Sequence, residues 1–132
     1  MEQKIFGVHH IALKACGIAD YEKTIRFYHE VLGMPIVRTW GEGIKVGTML
    51  DTGAGMMEIF ANAEDYPGQG AIRHMAFAVK DVDACVEAVR AAGYEITIEP
   101  KDIVIGSEPP YPARIAFCIG PVGEEIEFFA EQ

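Results

Sequence analysis

The sequence predicts an α+β domain built from two βαβββ modules, and three observations point there. The chain has 132 residues, half of them apolar, which suits one domain with an ordinary core. His10-Ile11-Ala12-Leu13 returns 64 residues later as His74-Met75-Ala76-Phe77, and the same offset carries Ile25-Arg26 onto Val89-Arg90. Each half closes on a related segment, Met57-Glu58-Ile59-Phe60 and Ile126-Glu127-Phe128-Phe129, now 69 residues apart. Two half-length copies fit a fused duplication, whereas a solenoid needs three or more repeats. We read a single domain over 1–132, with module one at about 4–62, a connector at 63–70 and module two at about 71–130.

The elements follow in order. Residues 5–14 alternate and carry β-branched side chains, so a strand is expected. Residues 20–32 set Tyr21, Ile25, Tyr28 and Leu32 at helical spacing, with Asp20 the expected N-cap, Gly33 just past the end and Pro35 blocking continuation. Strands are expected at 35–40, 44–50 and 55–61, broken by Gly41, Gly43, Gly53 and Gly55. The second half repeats the plan: a strand at 72–79, a helix at 82–92 on Val82, Val86 and Val89, and strands at 94–99, 113–119 and 124–130. Residues 101–112, with Gly106, Pro109, Pro110 and Pro112, read as a long irregular loop. The two four-stranded pieces are expected to continue one curved mixed sheet.

Composition narrows the partners. Eleven basic against twenty acidic residues give a net charge of −9. That argues against nucleic acid and against an anionic membrane surface, both of which are gripped by clustered Lys and Arg. The longest uncharged runs, Ile5–Leu13 and Ile115–Gly123, are nine residues, well short of the ~20 a membrane-spanning helix needs. Met1-Glu2-Gln3-Lys4 shows no apolar leader. Cys16, Cys85 and Cys118 form no CxxC pair and read as reduced thiols of a cytoplasmic protein. A small-molecule partner is the expectation that remains.

Four polar residues interrupt apolar strands in repeat-equivalent places: His10, Glu58, His74 and Glu127. A carboxylate buried without a partner costs several kcal/mol, so Glu on a core-facing strand needs a cation. Two His and two Glu suit one divalent ion, Zn, Ni, Co, Mn or Fe, with each half supplying one of each. His9 has the opposite strand parity to His10 and should point to the other face, as a surface residue or a support to the site. His29 reads as a solvated helix position, and Met49, Met56 and Met57 as core fillers. Lys14 and Asn62, each four residues after a candidate ligand, share strand parity with the ligands and face the same cavity. Trp40 and Tyr111 are candidates to wall or close a pocket, and Arg114 to hold an anionic substrate group.

The chain resembles the vicinal oxygen chelate superfamily, also called the glyoxalase/bleomycin resistance/dioxygenase proteins. The marks are Val8-His9-His10-Ile11-Ala12-Leu13, then Arg26-Phe27-Tyr28-His29-Glu30-Val31-Leu32-Gly33-Met34, Met57-Glu58-Ile59-Phe60, Arg73-His74-Met75-Ala76-Phe77-Ala78-Val79 and Ile126-Glu127-Phe128, in that order. The family often has Asp-Pro-Asp-Gly before its last strand, where this chain has Gly120-Pro121-Val122-Gly123. The resemblance implies paired modules around a divalent metal with ligands at His10, Glu58, His74 and Glu127.

Its members isomerise, epimerise, add thiols, cleave aromatic rings or only sequester drugs, so the fold alone names no reaction. A second carboxylate at Glu58 resembles the glyoxalase I set and implies a lyase or isomerase acting beside a carbonyl. Glu127 or Glu58 is then the proton-transferring base, with Glu127 favoured by resemblance. An extradiol-type dioxygenase and a metal-independent binding or resistance protein are the alternatives. In bacterial glyoxalase I the places of Lys14 and Asn62 resemble an Arg and an Asn that hold glutathione. Asn62 keeps the match, but Lys14 lacks the planar fork of Arg. Family members of this size commonly form homodimers, and one is expected here.

Overall fold

The computed structural model describes residues 3–132; Met1 and Glu2, on which the leader reading in part rests, lie outside the described residues. The chain divides into two compact units, Met1–Tyr66 and Pro67–Gln132, and each carries its own four-stranded mixed sheet.

In the first unit the elements are β1 (His10–Lys14), α1 (Ile18–Arg26) continuing into a π-helical turn (Phe27–Val31), β2 (Ile36–Trp40), a short 3-10 turn (Gly43–Lys45), β3 (Gly47–Asp51) and β4 (Met56–Phe60). Strand order is β1-β4-β3-β2, with β1 parallel to β4 and the other pairs antiparallel. The helix covers one face. Tyr21, Thr24, Phe27 and Tyr28 are buried there with Leu50, Met57 and Ile59 from the strands. Each large apolar side chain so buried contributes about 1.5–3 kcal/mol.

The expected N-cap at Asp20 is not realised: the helix begins at Ile18 after Gly17, and Asp20 lies inside its first turn. The Asp20 carbonyl instead accepts from Thr24 Oγ1 at 2.6 Å. Such back-bonding bends helices. Gly33 is confirmed just past the helix, where φ is +77° and an L side chain would be strained. His29 Nδ1 lies 2.7 Å from the Met34 carbonyl and ties that turn down.

The second unit comprises β5 (Met75–Ala78), α2 (Val82–Ala91), β6 (Ile96–Ile105), β7 (Tyr111–Ile119) and β8 (Glu125–Glu131) in the order β5-β8-β7-β6. Asp81 caps α2, accepting from the Ala84 amide at 3.0 Å, and Val82, Val86 and Val89 are buried beneath it. The expected loop over 101–112 is a correction: β6 runs on to Ile105 and β7 starts at Tyr111, so residues 101–105 pair with residues 111–115 in a long hairpin. The prolines lie in the turn and at the start of β7, where a missing N–H is tolerated.

Candidate metal centre

Ladder partners point to the same face of a sheet, so the strand registers assign each side chain a side. In the first unit the registers align three rows on the face away from the helix. The first holds His10, Met56 and Asp51. The second holds Ala12, Glu58, Met49 and Arg38, and the third Lys14, Phe60, Gly47 and Trp40. His10 Nε2 lies 3.5 Å from Glu58 Oε1, and the Glu58 side chain is only 13% exposed.

In the second unit Glu127 lies between Ala76 and Phe117 on the corresponding face. His74 Nε2 stands 3.1 Å from Glu127 Oε1, and its ring meets Phe117 edge-on at 5.3 Å. Each unit thus presents one imidazole and one carboxylate: His10 opens β1 and His74 immediately precedes β5, and the parallel pairing sets each first strand beside the last strand that carries the Glu. The separations suit ligation, because two donors each about 2.0–2.2 Å from one ion stand roughly 3.0–3.5 Å apart. Among the described residues no three His, Cys, Asp or Glu side chains gather as a complete site.

The other sequence candidates fall on both faces. Lys14 and Trp40 occupy opposite ends of one row, beside the row of Glu58. The Trp40 indole lies over Gly47, where an added Cβ would sit 2.6 Å from Cζ2, and it packs edge-on against Phe60 at 6.2 Å. Asn62 lies past the end of β4 in an isolated bridge with Cys16. Tyr111 stacks on Phe129 at 6.0 Å and donates to Glu131, a hydrogen bond that raises the phenol's pKa.

Arg114 is placed differently from the expectation. It pairs with Ala130, on the helix-covered side opposite Glu127, and bonds Asp83 at 2.7 and 2.9 Å and Asp102 at 3.1 Å. Those bonds raise the Arg114 pKa and lower that of Asp83. Its role there is to tie α2 to the sheet.

His9 also departs from its expected direction. It precedes β1, so strand parity does not govern it, and its Nδ1 comes within 2.9 Å of His10 Nδ1. Met57 is core as expected, but Met49 and Met56 lie on the face of Glu58, where their sulfurs contact the Arg38 guanidinium at 3.0 and 3.6 Å. Two residues on these faces were missed in the sequence, Arg38 and Glu125. Each stands two positions before a candidate, Trp40 and Glu127, and the alternation of a strand was the signal for both.

Two βαβββ units, each carrying a His–Glu pair beside its parallel strand joint, define an α+β protein of duplicated modules. Residues 7–109 match the family model described as Glyoxalase/Bleomycin resistance protein/Dioxygenase superfamily, and the chain belongs to that superfamily. It is 34% identical over 119 residues to a lactoylglutathione lyase of Haemophilus influenzae, covering 84% of each chain. Among solved structures, a glyoxalase family protein from Bacillus anthracis superposes with a TM-score of 0.72 over all of both chains at 23% identity. The V278E glyoxalase I mutant from Zea mays gives 0.73 at 24% identity, over 91% of this chain and 43% of the maize chain. These two likenesses show the fold. No helix among the described residues is long and apolar enough to cross a membrane.

Proposed function

We propose that this chain is a metal-dependent lyase or isomerase of the glyoxalase I type, a single domain of two modules that moves a proton at a carbon beside a carbonyl. One observation carries the reading: repeat-related His–Glu pairs, 3.5 and 3.1 Å apart, stand on the open faces of the two sheets. Membership of the superfamily and the likeness to a lactoylglutathione lyase support it. His10, Glu58, His74 and Glu127 are the ligands in this proposal, for one divalent ion among Zn, Ni, Co, Mn and Fe. Such an ion supplies Lewis acidity toward two adjacent substrate oxygens and lowers the cost of the negative charge left when a carbon-bound proton departs.

The chain's own residues do the rest. Glu127, or Glu58, takes that proton on a carboxylate oxygen and returns it to the neighbouring atom. His10 and His74 hold position. Lys14 offers a point charge to an anionic end of the substrate, Asn62 an amide, and Trp40 with Phe60 an apolar wall. Arg114 is left out, since it faces the helix. The protein acts in the cytoplasm as a homodimer, a state that light scattering checks directly.

Elemental analysis of protein purified without chelator or affinity metal tests the reading. Near-stoichiometric metal is expected, absent from His74→Ala and Glu127→Ala. Wild-type protein that carries none, and takes up none of the five ions, sinks it. With metal present, solvent deuterium should enter 2-oxo or hemithioacetal substrates; oxygen uptake with catechols instead would mark a dioxygenase.

A further inference from the structure

The imidazoles of His10 and His74 share an arrangement at both ring nitrogens. Each turns Nε2 to the carboxylate on the neighbouring strand, Glu58 at 3.5 Å and Glu127 at 3.1 Å. Each also turns Nδ1 to a second side chain outside the proposed ligand set. For His10 this is His9, Nδ1 to Nδ1 at 2.9 Å with the rings edge to face. For His74 it is Glu125, whose Oε1 stands 3.7 Å away. Glu125 is itself bracketed: its Oε2 accepts from Gln69 Nε2 at 3.2 Å, and Gln69 Oε1 accepts from the Arg73 guanidinium at 2.7 Å.

A neutral imidazole carries one ring hydrogen and offers a lone pair at the other nitrogen. Two carboxylates therefore address the single hydrogen of His74, Glu127 within hydrogen-bond reach of Nε2 and Glu125 just beyond it at Nδ1. If Glu127 draws it to Nε2, that nitrogen cannot ligate an ion. An acceptor at Nδ1 reverses the outcome, and metal-bound imidazoles are usually held this way.

We propose that His9 and Glu125 are positioning residues, each taking the Nδ1 hydrogen of its neighbouring imidazole so that Nε2 is bare and aimed for a divalent cation. The proposal rests on the metal reading above. It assigns Glu125 to holding a ligand and not to being one, because Glu125 and Glu127 address opposite nitrogens of the same ring. The two supports also differ in kind, an imidazole in one unit and a bracketed carboxylate in the other.

Zinc affinity, read by competition with a chromophoric chelator, tests it in wild type, His9→Ala, Glu125→Ala and Glu125→Gln. Each alanine variant should bind zinc about 10–100-fold more weakly, the usual effect of removing such a support. Glu125→Gln keeps an acceptor oxygen and should recover most of the loss. In the zinc-loaded protein, nitrogen-15 correlation spectra should show His74 with its hydrogen on Nδ1 in wild type and Glu125→Gln. That resonance should be lost to solvent exchange in Glu125→Ala. Alanine variants with wild-type affinity and unchanged ring spectra overturn the proposal while the metal reading stands. A wild-type protein that takes no zinc or other divalent ion overturns both.

Discussion

Gly47→Ala puts the placement of Trp40 to a quantitative test. The added methyl carbon would lie 2.6 Å from Trp40 Cζ2 and 2.7 Å from Cε2. Carbon atoms rest at roughly 3.5–4.0 Å, so the indole must move by about 1 Å. Overpacking of this kind costs about 1–3 kcal/mol. Replacing a strand glycine returns about 0.5–1 kcal/mol through the unfolded chain. Trp40 is half-buried and can shift, which sets the expected net destabilisation near 1 kcal/mol, or about 2–5 °C in Tm. Urea denaturation followed by far-ultraviolet circular dichroism is the assay, with tryptophan fluorescence as a second readout where Trp40 is kept. Trp40 is the single tryptophan of the chain, so its emission reports this site alone and should move to the red. In a Trp40→Leu background the same substitution should be neutral or stabilising, the signature of a coupled pair. A Gly47→Ala protein with wild-type emission and undiminished stability would refute the packing. It would also remove the apolar wall beside Glu58 on which the substrate site relies.

Thr48, buried between the hydroxyls of Tyr21 and Thr39, should cost about 1–3 kcal/mol as Thr48→Val; Tyr21→Phe/Thr48→Val should cost less than the two singles together, measured by urea unfolding. Burial first, then Glu124 and Cys85, pushes the Cys118 thiol up to about 12. Its folded pKa lies above the unfolded one, so its stabilisation is complete below about pH 8.5. That contribution falls as pH rises toward the folded value, by at most about 1.4 kcal/mol per pH unit, and alkaline denaturation midpoints should show it. Arg114→Met should loosen α2, seen as faster amide exchange over 82–91, and leave KM unchanged. Raised KM with normal exchange would return Arg114 to the substrate site.

The repeat made most of this fold legible. The offset between His10 and His74 fixed the order of elements because both copies solve the same burial problem with the same spacing. Facing directions were harder. Strand parity could relate Glu58 to Asn62 only while the strand lasted, and β4 ends at Phe60. Parity could not say which side of β7 the helix covers, so the sequence left the direction of Arg114 open, and its pairing with Ala130 places it on the helix side. The proline-rich stretch misled for a related reason. Ile103, Val104 and Ile105 have strand chemistry, but nothing local shows that a partner strand resumes at Tyr111 to pair with them. His9 reached His10 because the strand had not yet begun, a boundary that propensity does not set.

The placement of β1 against β4, and of β5 against β8, has a kinetic consequence. Within each unit the three later strands form an antiparallel run in which neighbours in sequence pair with one another. The first strand instead returns as a parallel edge after the helix and two other strands have intervened. Long-range parallel closure is slow and reached late, and an edge strand that is largely exposed is among the first to detach. The amides of His10–Lys14 and Met75–Ala78 should therefore exchange with solvent before those of the strands beside them. Because each His–Glu pair spans this joint, it is assembled by the last docking event. Whatever ion the pair retains would act as a clasp, slowing exchange in these two edges more than anywhere else in the molecule.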